Sequence, residues 1–291
     1  MTLATVTLEA AGYAFGIRTY RPAEPCGPVL VWMHGGAFMF GDLDMPEADQ
    51  VARALCERGV AVVSVDYTLA PLDALAALAP LDGPDGPPPP PGRPGDAPRA
   101  RFPVASLQIV AAFDWATANA QSLGGDPRRV SVGGASAGGN LAASAAMRLR
   151  DRDGPKPASL LLAYAVLHRE LPPVDDELAA MLAALPPFLT FPPAAMAAIN
   201  SNYAGEAGPD PYVYPAGHDV RGLPPTFIVN ADADRLRTSG EGFAAELALA
   251  GVDATVVRER GTVHGYLNEV GDPAALRTID RFAAWLTATP T

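Results

Sequence analysis

The stretch Val130-Ser131-Val132-Gly133-Gly134-Ala135-Ser136-Ala137-Gly138-Gly139-Asn140 decides how this chain is read. A β-branched run gives way to small residues, and an Ala-rich helical segment follows from Leu141 to Arg150. Inside the turn lies Gly134-Ala135-Ser136-Ala137-Gly138, a G-x-S-x-G pattern. On a sharp strand-to-helix turn the flanking glycines leave space where a Cβ would clash, and the serine hydroxyl stands exposed. It stands at a helix N-terminus, where backbone N–H groups favour negative charge. The turn is a poor phosphate cradle. It lacks the G-x-G-x-x-G spacing, and no lysine follows it as a P-loop requires.

Outward from this turn, strands are expected at residues 5–10, 13–20, 29–34, 60–66, 129–133, 159–165, 226–230 and 254–258. Helices are expected between them at 46–59, 105–121, 138–150, 240–250 and 273–288. Strands alternating with helices predict an α/β fold with a mostly parallel, doubly wound sheet of about eight strands. The middle strands are apolar on both faces, as buried parallel strands are. Only Ala11-Gly12 separates the first two, so the opening edge is expected to be antiparallel. Two stretches interrupt the alternation. Residues 72–101 hold Gly83-Pro84-Asp85-Gly86 and the prolines Pro87 to Pro91, which suit an irregular or polyproline insertion. Placed just past the strand ending at Asp66, this insertion is expected to overhang the same edge as the elbow. Residues 169–214 carry helical spacing at 174–185 (Leu178, Met181, Leu182, Leu185) and again at 193–203, and are expected to form a cap or lid. A single catalytic domain over residues 1–291, bearing these two insertions, is the expected organisation.

Composition narrows the function. The 291 residues are 49% hydrophobic, enough for a large core. The net charge is −11 and Lys156 is the only lysine, which argues against a backbone-phosphate binder and so against nucleic acid. Cys26 and Cys56 stand at no metal-like spacing, as in a chain that does not rely on disulfides. Met1-Thr2-Leu3-Ala4-Thr5-Val6 has no signal-peptide pattern, and no apolar run is long enough to span a bilayer. A cytoplasmic protein with no membrane insertion is expected.

A serine hydroxyl needs a base to take its proton and a third group to orient that base. Of the four histidines, His264 lies in Gly261-Thr262-Val263-His264-Gly265-Tyr266, after the last strand and at the carboxyl edge where ligands of such sheets bind. His168 and His218 read as loop or surface residues. The acid is sought between serine and histidine. There Asn230-Ala231-Asp232-Ala233-Asp234 offers two aspartates just past a strand, and the residues alone do not rank Asp232 against Asp234. Finally, the strand Val29-Leu30-Val31-Trp32-Met33 runs into His34-Gly35-Gly36-Ala37-Phe38, whose N–H groups suit a developing oxyanion.

With these parts in place, the chain resembles the hormone-sensitive-lipase-like (bacterial family IV) carboxylesterases of the α/β-hydrolase superfamily. The matching stretches are His34-Gly35-Gly36-Ala37-Phe38, Val65-Asp66-Tyr67-Thr68-Leu69-Ala70-Pro71, Phe102-Pro103, the elbow with Gly139-Asn140, Leu223-Pro224-Pro225, Asp234-Arg235-Leu236-Arg237 and His264-Gly265-Tyr266. The resemblance implies the α/β-hydrolase fold with a helical cap and selects Asp234 as the acid. It implies oxyanion donors at Gly36 and Ala37, with Gly35 alongside, plus Ala137. It also implies ester hydrolysis with no metal or cofactor, and the apolar residues of the expected lid (Leu178, Met181, Leu182, Phe188) suggest small to medium acyl groups. The expected partner is a small-molecule ester, with a homodimer allowed for. The chain departs from the family's pattern in five ways, one of them the Pro-rich insertion between Pro71 and Phe102, much longer than the usual connection. Ala37 replaces a third loop glycine, Ala135 an acid and Thr68 an arginine, and the first strand begins without N-terminal cap helices. Two other functions fit the same motifs. One is an amidase or deacylase on a small N-acyl or O-acyl metabolite; the other, more remote, is a non-catalytic ligand receptor.

Overall fold

The computed structural model describes residues 1–74 and 97–288. Eight strands form one sheet: β1 (Thr2–Ala10), β2 (Tyr13–Arg21), β3 (Gly27–Met33), β4 (Ala61–Asp66), β5 (Gly125–Ala135), β6 (Leu160–Ala163), β7 (Thr226–Ala233) and β8 (Ala254–Val263). Their order is β1-β2-β4-β3-β5-β6-β7-β8. β1 pairs with β2, and β2 with β4, in antiparallel register, whereas every pair from β4 to β8 is parallel. The antiparallel opening edge follows from the tight Ala11-Gly12 turn, where both residues have positive φ.

Among the described residues seven α-helices cover the sheet: α1 (Pro46–Glu57), α2 (Val104–Asn119), α3 (Ala137–Asp151), α4 (Asp176–Ala183), α5 (Pro193–Ala204), α6 (Arg237–Leu249) and α7 (Pro273–Ala288). α1 opens on a proline with Glu47 and Asp49 in its first turn, as a helix N-terminus favours. Its buried stripe of Ala48, Val51, Ala52 and Leu55 packs with Ile279, Phe282 and Leu286 of α7 on one sheet face. Trp32 of β3 meets Phe282 there at 5.8 Å between ring centroids. On the other face Ile109 and Phe113 of α2, Leu141 and Met147 of α3, and Phe243 and Leu247 of α6 form the larger core. α5 joins that core through Met196, Ile199 and Tyr203, so the second inserted helix is anchored to the body.

Of the boundaries that differ from expectation, two bear on the site. β7 runs to Ala233, so Asp232 belongs to the strand, and β8 runs on to Val263, so His264 follows it directly. The β7–β8 register slips between Ala231 and Ala233, and Gly261 takes φ 75°. The pairing thus resumes past an irregularity that strand propensity does not announce. The Pro-rich insertion expected at 72–101 falls largely on residues 75–96, outside the described residues. Its two ends are held beside α5. Asn202 donates to the Pro71 carbonyl at 2.6 Å, and Arg101 donates to the Asn202 carbonyl at 3.1 Å.

Candidate active site

The parallel register brings the carboxyl ends of β3, β5, β7 and β8 to one edge: Met33 lies opposite Gly134, and Ala233 opposite Val263. At that edge Ser136 links β5 to α3 with φ 54° and ψ −118°. A non-glycine residue in such a region costs about 1–3 kcal/mol and persists only where its surroundings fix it. Here the Ser136 N–H donates to the Ala163 carbonyl at 2.9 Å, and the Ser136 carbonyl accepts from the Asn140 N–H at 3.2 Å. A Cβ on Gly134 would run into the Gly138 carbonyl, and one on Gly138 into the carbonyls of Met33 and His34. Those two glycines therefore serve close backbone approach between the elbow and the end of β3.

His264 stands between serine and acid. Its Nε2 is 3.0 Å from Ser136 Oγ and its Nδ1 is 2.7 Å from Asp234 Oδ2. In the tautomer with the proton on Nδ1, the ring donates to Asp234 and Nε2 accepts from the serine hydroxyl. Asp234 is fully buried, and its other oxygen accepts the Leu236 N–H at 2.9 Å. Burial by itself would lower the affinity of His264 for a proton; the adjoining Asp234 carboxylate, helped by Glu47, outweighs it and holds the imidazole above its ordinary pKa. Asp232 is not part of this line. Its carboxylate pairs with Arg258 at 2.7 Å and accepts the Gly261 N–H at 2.8 Å, bracing the irregular turn of β8. His168 bonds Ser239 at 2.9 Å and lies 3.3 Å from Glu246, in keeping with a loop residue.

The loop after β3 is strained at three successive positions: Gly36 (φ 106°), Ala37 (φ 52°) and Phe38 (φ 63°). It is held by contacts on both sides. Tyr67 Oη donates to the His34 carbonyl at 2.9 Å, the Phe38 carbonyl accepts the Ala70 N–H at 2.8 Å, and the Phe38 ring stacks on Tyr203 at 4.0 Å. Among the described residues the N–H groups of Gly36, Ala37 and Ala137 have no acceptor, which leaves them for a ligand oxygen. Gly35 departs from expectation. Its N–H donates to Glu47 Oε1 at 2.5 Å, so it is engaged inside the protein.

Three neighbours of the site escape sequence reading. Glu47, in the first turn of α1, is 2% exposed, and its Oε2 accepts from Tyr164 Oη at 2.5 Å and from Asn268 Nδ2 at 3.3 Å. Burial pushes its carboxyl above the ordinary range, and the donors of Tyr164 and Gly35 pull it only part of the way back. Tyr164, just past β6 with φ 35°, meets the His264 imidazole edge to face, with ring centroids 5.0 Å apart. Phe191 comes from the segment before α5 and meets the same imidazole at 4.6 Å. Only Glu47 left a usable signal: an acid on the apolar stripe of an amphipathic helix, in line with Val51 and Leu55.

Among the described residues no group of three His, Cys, Asp or Glu side chains is placed to hold a metal ion, and no helix is long and apolar enough to cross a membrane. Comparison with known proteins matches residues 30–79 and 96–268 to a family with the alpha/beta hydrolase fold. The chain is 35% identical over 254 residues to the carboxylesterase NlhH of Mycobacterium tuberculosis, covering 83% of this chain and 67% of that one. It is 31% identical over 287 residues to the esterase LipI of the same organism, covering 95% and 78%. Among solved structures it is similar to the thermostable carboxylesterase EstE1 from a metagenomic library, at TM-score 0.80 and 28% identity, covering 100% of this chain and 90% of that one. An esterase of Pyrobaculum calidifontis matches at TM-score 0.79 and 28% identity over 99% and 85%.

Proposed function

The chain belongs to the α/β-hydrolase superfamily, in its hormone-sensitive-lipase-like branch of carboxylesterases, and on that footing we propose that Ser136, His264 and Asp234 carry out its ester hydrolysis. His264 Nε2 takes the Ser136 proton as Oγ attacks the ester carbonyl. The carbonyl π electrons move onto oxygen, which the Gly36, Ala37 and Ala137 N–H groups receive; each such donor is worth about 3 kcal/mol in the transition state. As the oxyanion collapses, the C–O bond to the alcohol breaks and the imidazolium protonates the leaving oxygen. Water, deprotonated by the same imidazole, then attacks the acyl-serine and releases the acid. Asp234 holds the ring in the required tautomer through its bond to Nδ1.

The observation that carries this reading is the continuous line from Ser136 Oγ through His264 to the buried Asp234, at 3.0 and 2.7 Å. Residues 1–291 are read as one catalytic domain in which α4 and α5 form the cap. Phe191 over His264 favours small to medium acyl esters. A cytoplasmic location belongs to the same proposal, supported by two unpaired cysteines. So does a homodimer, supported by the outermost strand β8, where Val256 is 48% exposed.

Acid-quenched turnover of p-nitrophenyl butyrate followed by peptide mass spectrometry tests the reading: the butyryl group is expected on the peptide containing Ser136. A panel of matched esters and amides tests the leaving group, with esters expected to be the faster substrates. An acyl group on another residue, or amides turned over faster, would overturn the corresponding part.

A further inference from the structure

Resting on the site assignment above, we propose that Glu47 is a positioning residue for ester hydrolysis. By capturing the Gly35 N–H and bonding Tyr164 and Asn268, its carboxylate fixes the oxyanion loop in place relative to His264.

The geometry makes Glu47 the one side chain that ties three parts of the site together. Oε1 holds the loop after β3 through Gly35, and Oε2 holds the end of β6 through Tyr164. Asn268, the other donor to Oε2, also donates to the Gly265 carbonyl at 3.2 Å, next to His264. All three groups facing the carboxyl donate to it. No Arg or Lys among the described residues forms an ion pair with it. A buried carboxylate without a cation is costly to keep unless its hydrogen bonds are complete.

The glycine at 35 is explained by the same contact. Its φ is not in the left-handed region, so no turn demands glycine there. A Cβ would instead lie 2.6 Å from Glu47 Oε1 and 3.0 Å from Ser136 Cβ. Position 35 is thus wedged between the carboxylate and the nucleophile. With the Gly35 N–H turned toward Glu47, the following N–H groups of Gly36 and Ala37 are left without internal acceptors.

The carboxylate also bears on the base. The groups facing the imidazole are Ser136 from the elbow, Asp234 after β7, Tyr164 after β6, Phe191 from the cap and, through space, Glu47 on α1. Of these groups, Asp234 and Glu47 are the two whose carboxyls raise the affinity of His264 for a proton. Both favour the imidazolium that forms as serine attacks.

The test is Glu47→Ala and Glu47→Gln, with kcat, KM and the pH profile measured on p-nitrophenyl acetate and the folded fraction read by near-ultraviolet circular dichroism. In Glu47→Ala, kcat per folded enzyme is expected to fall about 100-fold with KM within about twofold, the effect of disordering an oxyanion hole. Glu47→Gln keeps an acceptor for the Gly35 N–H, so it is expected to recover most of kcat. Its ascending pH limb should lie at lower pH, because one negative charge near His264 is gone. Tyr164→Phe keeps the ring and removes one donor, and is expected to lower kcat several-fold; it serves if neither Glu47 variant folds. A folded Glu47→Ala with kcat within twofold of wild type overturns the proposal, as does a Glu47→Gln limb that does not move, or an unchanged kcat in Tyr164→Phe. If Ser136→Ala is inactive while Glu47→Ala is fully active, the role of Glu47 falls and the triad stands.

Discussion

Replacing Gly35 by alanine tests how closely the oxyanion loop and the elbow are fitted. The new Cβ would stand 2.6 Å from Glu47 Oε1, 3.0 Å from Ser136 Cβ and 3.3 Å from the Ala135 carbonyl. Comfortable carbon contacts are about 3.5–4.0 Å, so the loop and the elbow must separate by roughly 0.5–1 Å. Neither side yields readily. Ala135 is fully buried, Ser136 is fixed by its bond to Ala163, and Glu47 is fully buried among its donors. Overpacking of this kind costs about 1–3 kcal/mol, which corresponds to a fall in Tm of roughly 2–5 °C for a domain of this size. The larger effect is expected on chemistry. A displacement near 1 Å between nucleophile and oxyanion donors lowers kcat by about 100-fold. KM should change little, since the ester is bound before the oxyanion forms. Calorimetry gives Tm, and initial rates on p-nitrophenyl acetate give kcat and KM. A Gly35→Ala variant with wild-type Tm and kcat within twofold would refute the claim that position 35 is wedged between acid and nucleophile.

The base makes a pH prediction with a definite sign. The rate requires neutral His264, so kcat/KM rises as pH rises through the pKa of that residue in the free enzyme. Because Asp234 outweighs burial, this limb is expected above the ordinary value of 6.5. Asp234→Asn removes that pull and the tautomer control, so the limb should move down and the rate fall by about 10⁴-fold; a wild-type limb below 6.5 would contradict the reasoning. Phe191→Ala clears the ring that meets His264 at 4.6 Å. Turnover of esters with bulky alcohols is expected to rise about tenfold relative to ethyl esters, and an unchanged ratio measured over such a series would show that Phe191 does not bound the pocket.

Much of this architecture could be read from residue order, because it depends on local patterns. The eight strands, the alternation with helices and the antiparallel opening edge follow from apolar runs and one two-residue turn. Ser136 and His264 could be found because an elbow and a strand-end histidine are short-range signals on a sheet whose parallel strands share one carboxyl edge. The choice of Asp234 over Asp232 was not local. It depends on the slipped register between Ala231 and Ala233, which turns Asp232 toward Arg258 and leaves Asp234 for His264. The engagement of the Gly35 N–H was hidden for a similar reason. Whether that N–H faces the pocket is decided by Glu47, 12 residues away on α1, whose carboxylate arrives only once the helix docks on the sheet. The acid that the resemblance places at Ala135 is absent, and a buried carboxylate from another element lies beside the same turn.

The most direct measurement of the central claim is hydrolysis of p-nitrophenyl acetate by Ser136→Ala. The account predicts that kcat falls roughly 10⁴-fold or more, because removing the nucleophile of such a triad leaves only the oxyanion hole and binding. It also predicts near-wild-type Tm, since alanine fills the same small site. A folded Ser136→Ala enzyme that turned over the ester within tenfold of wild type would contradict it.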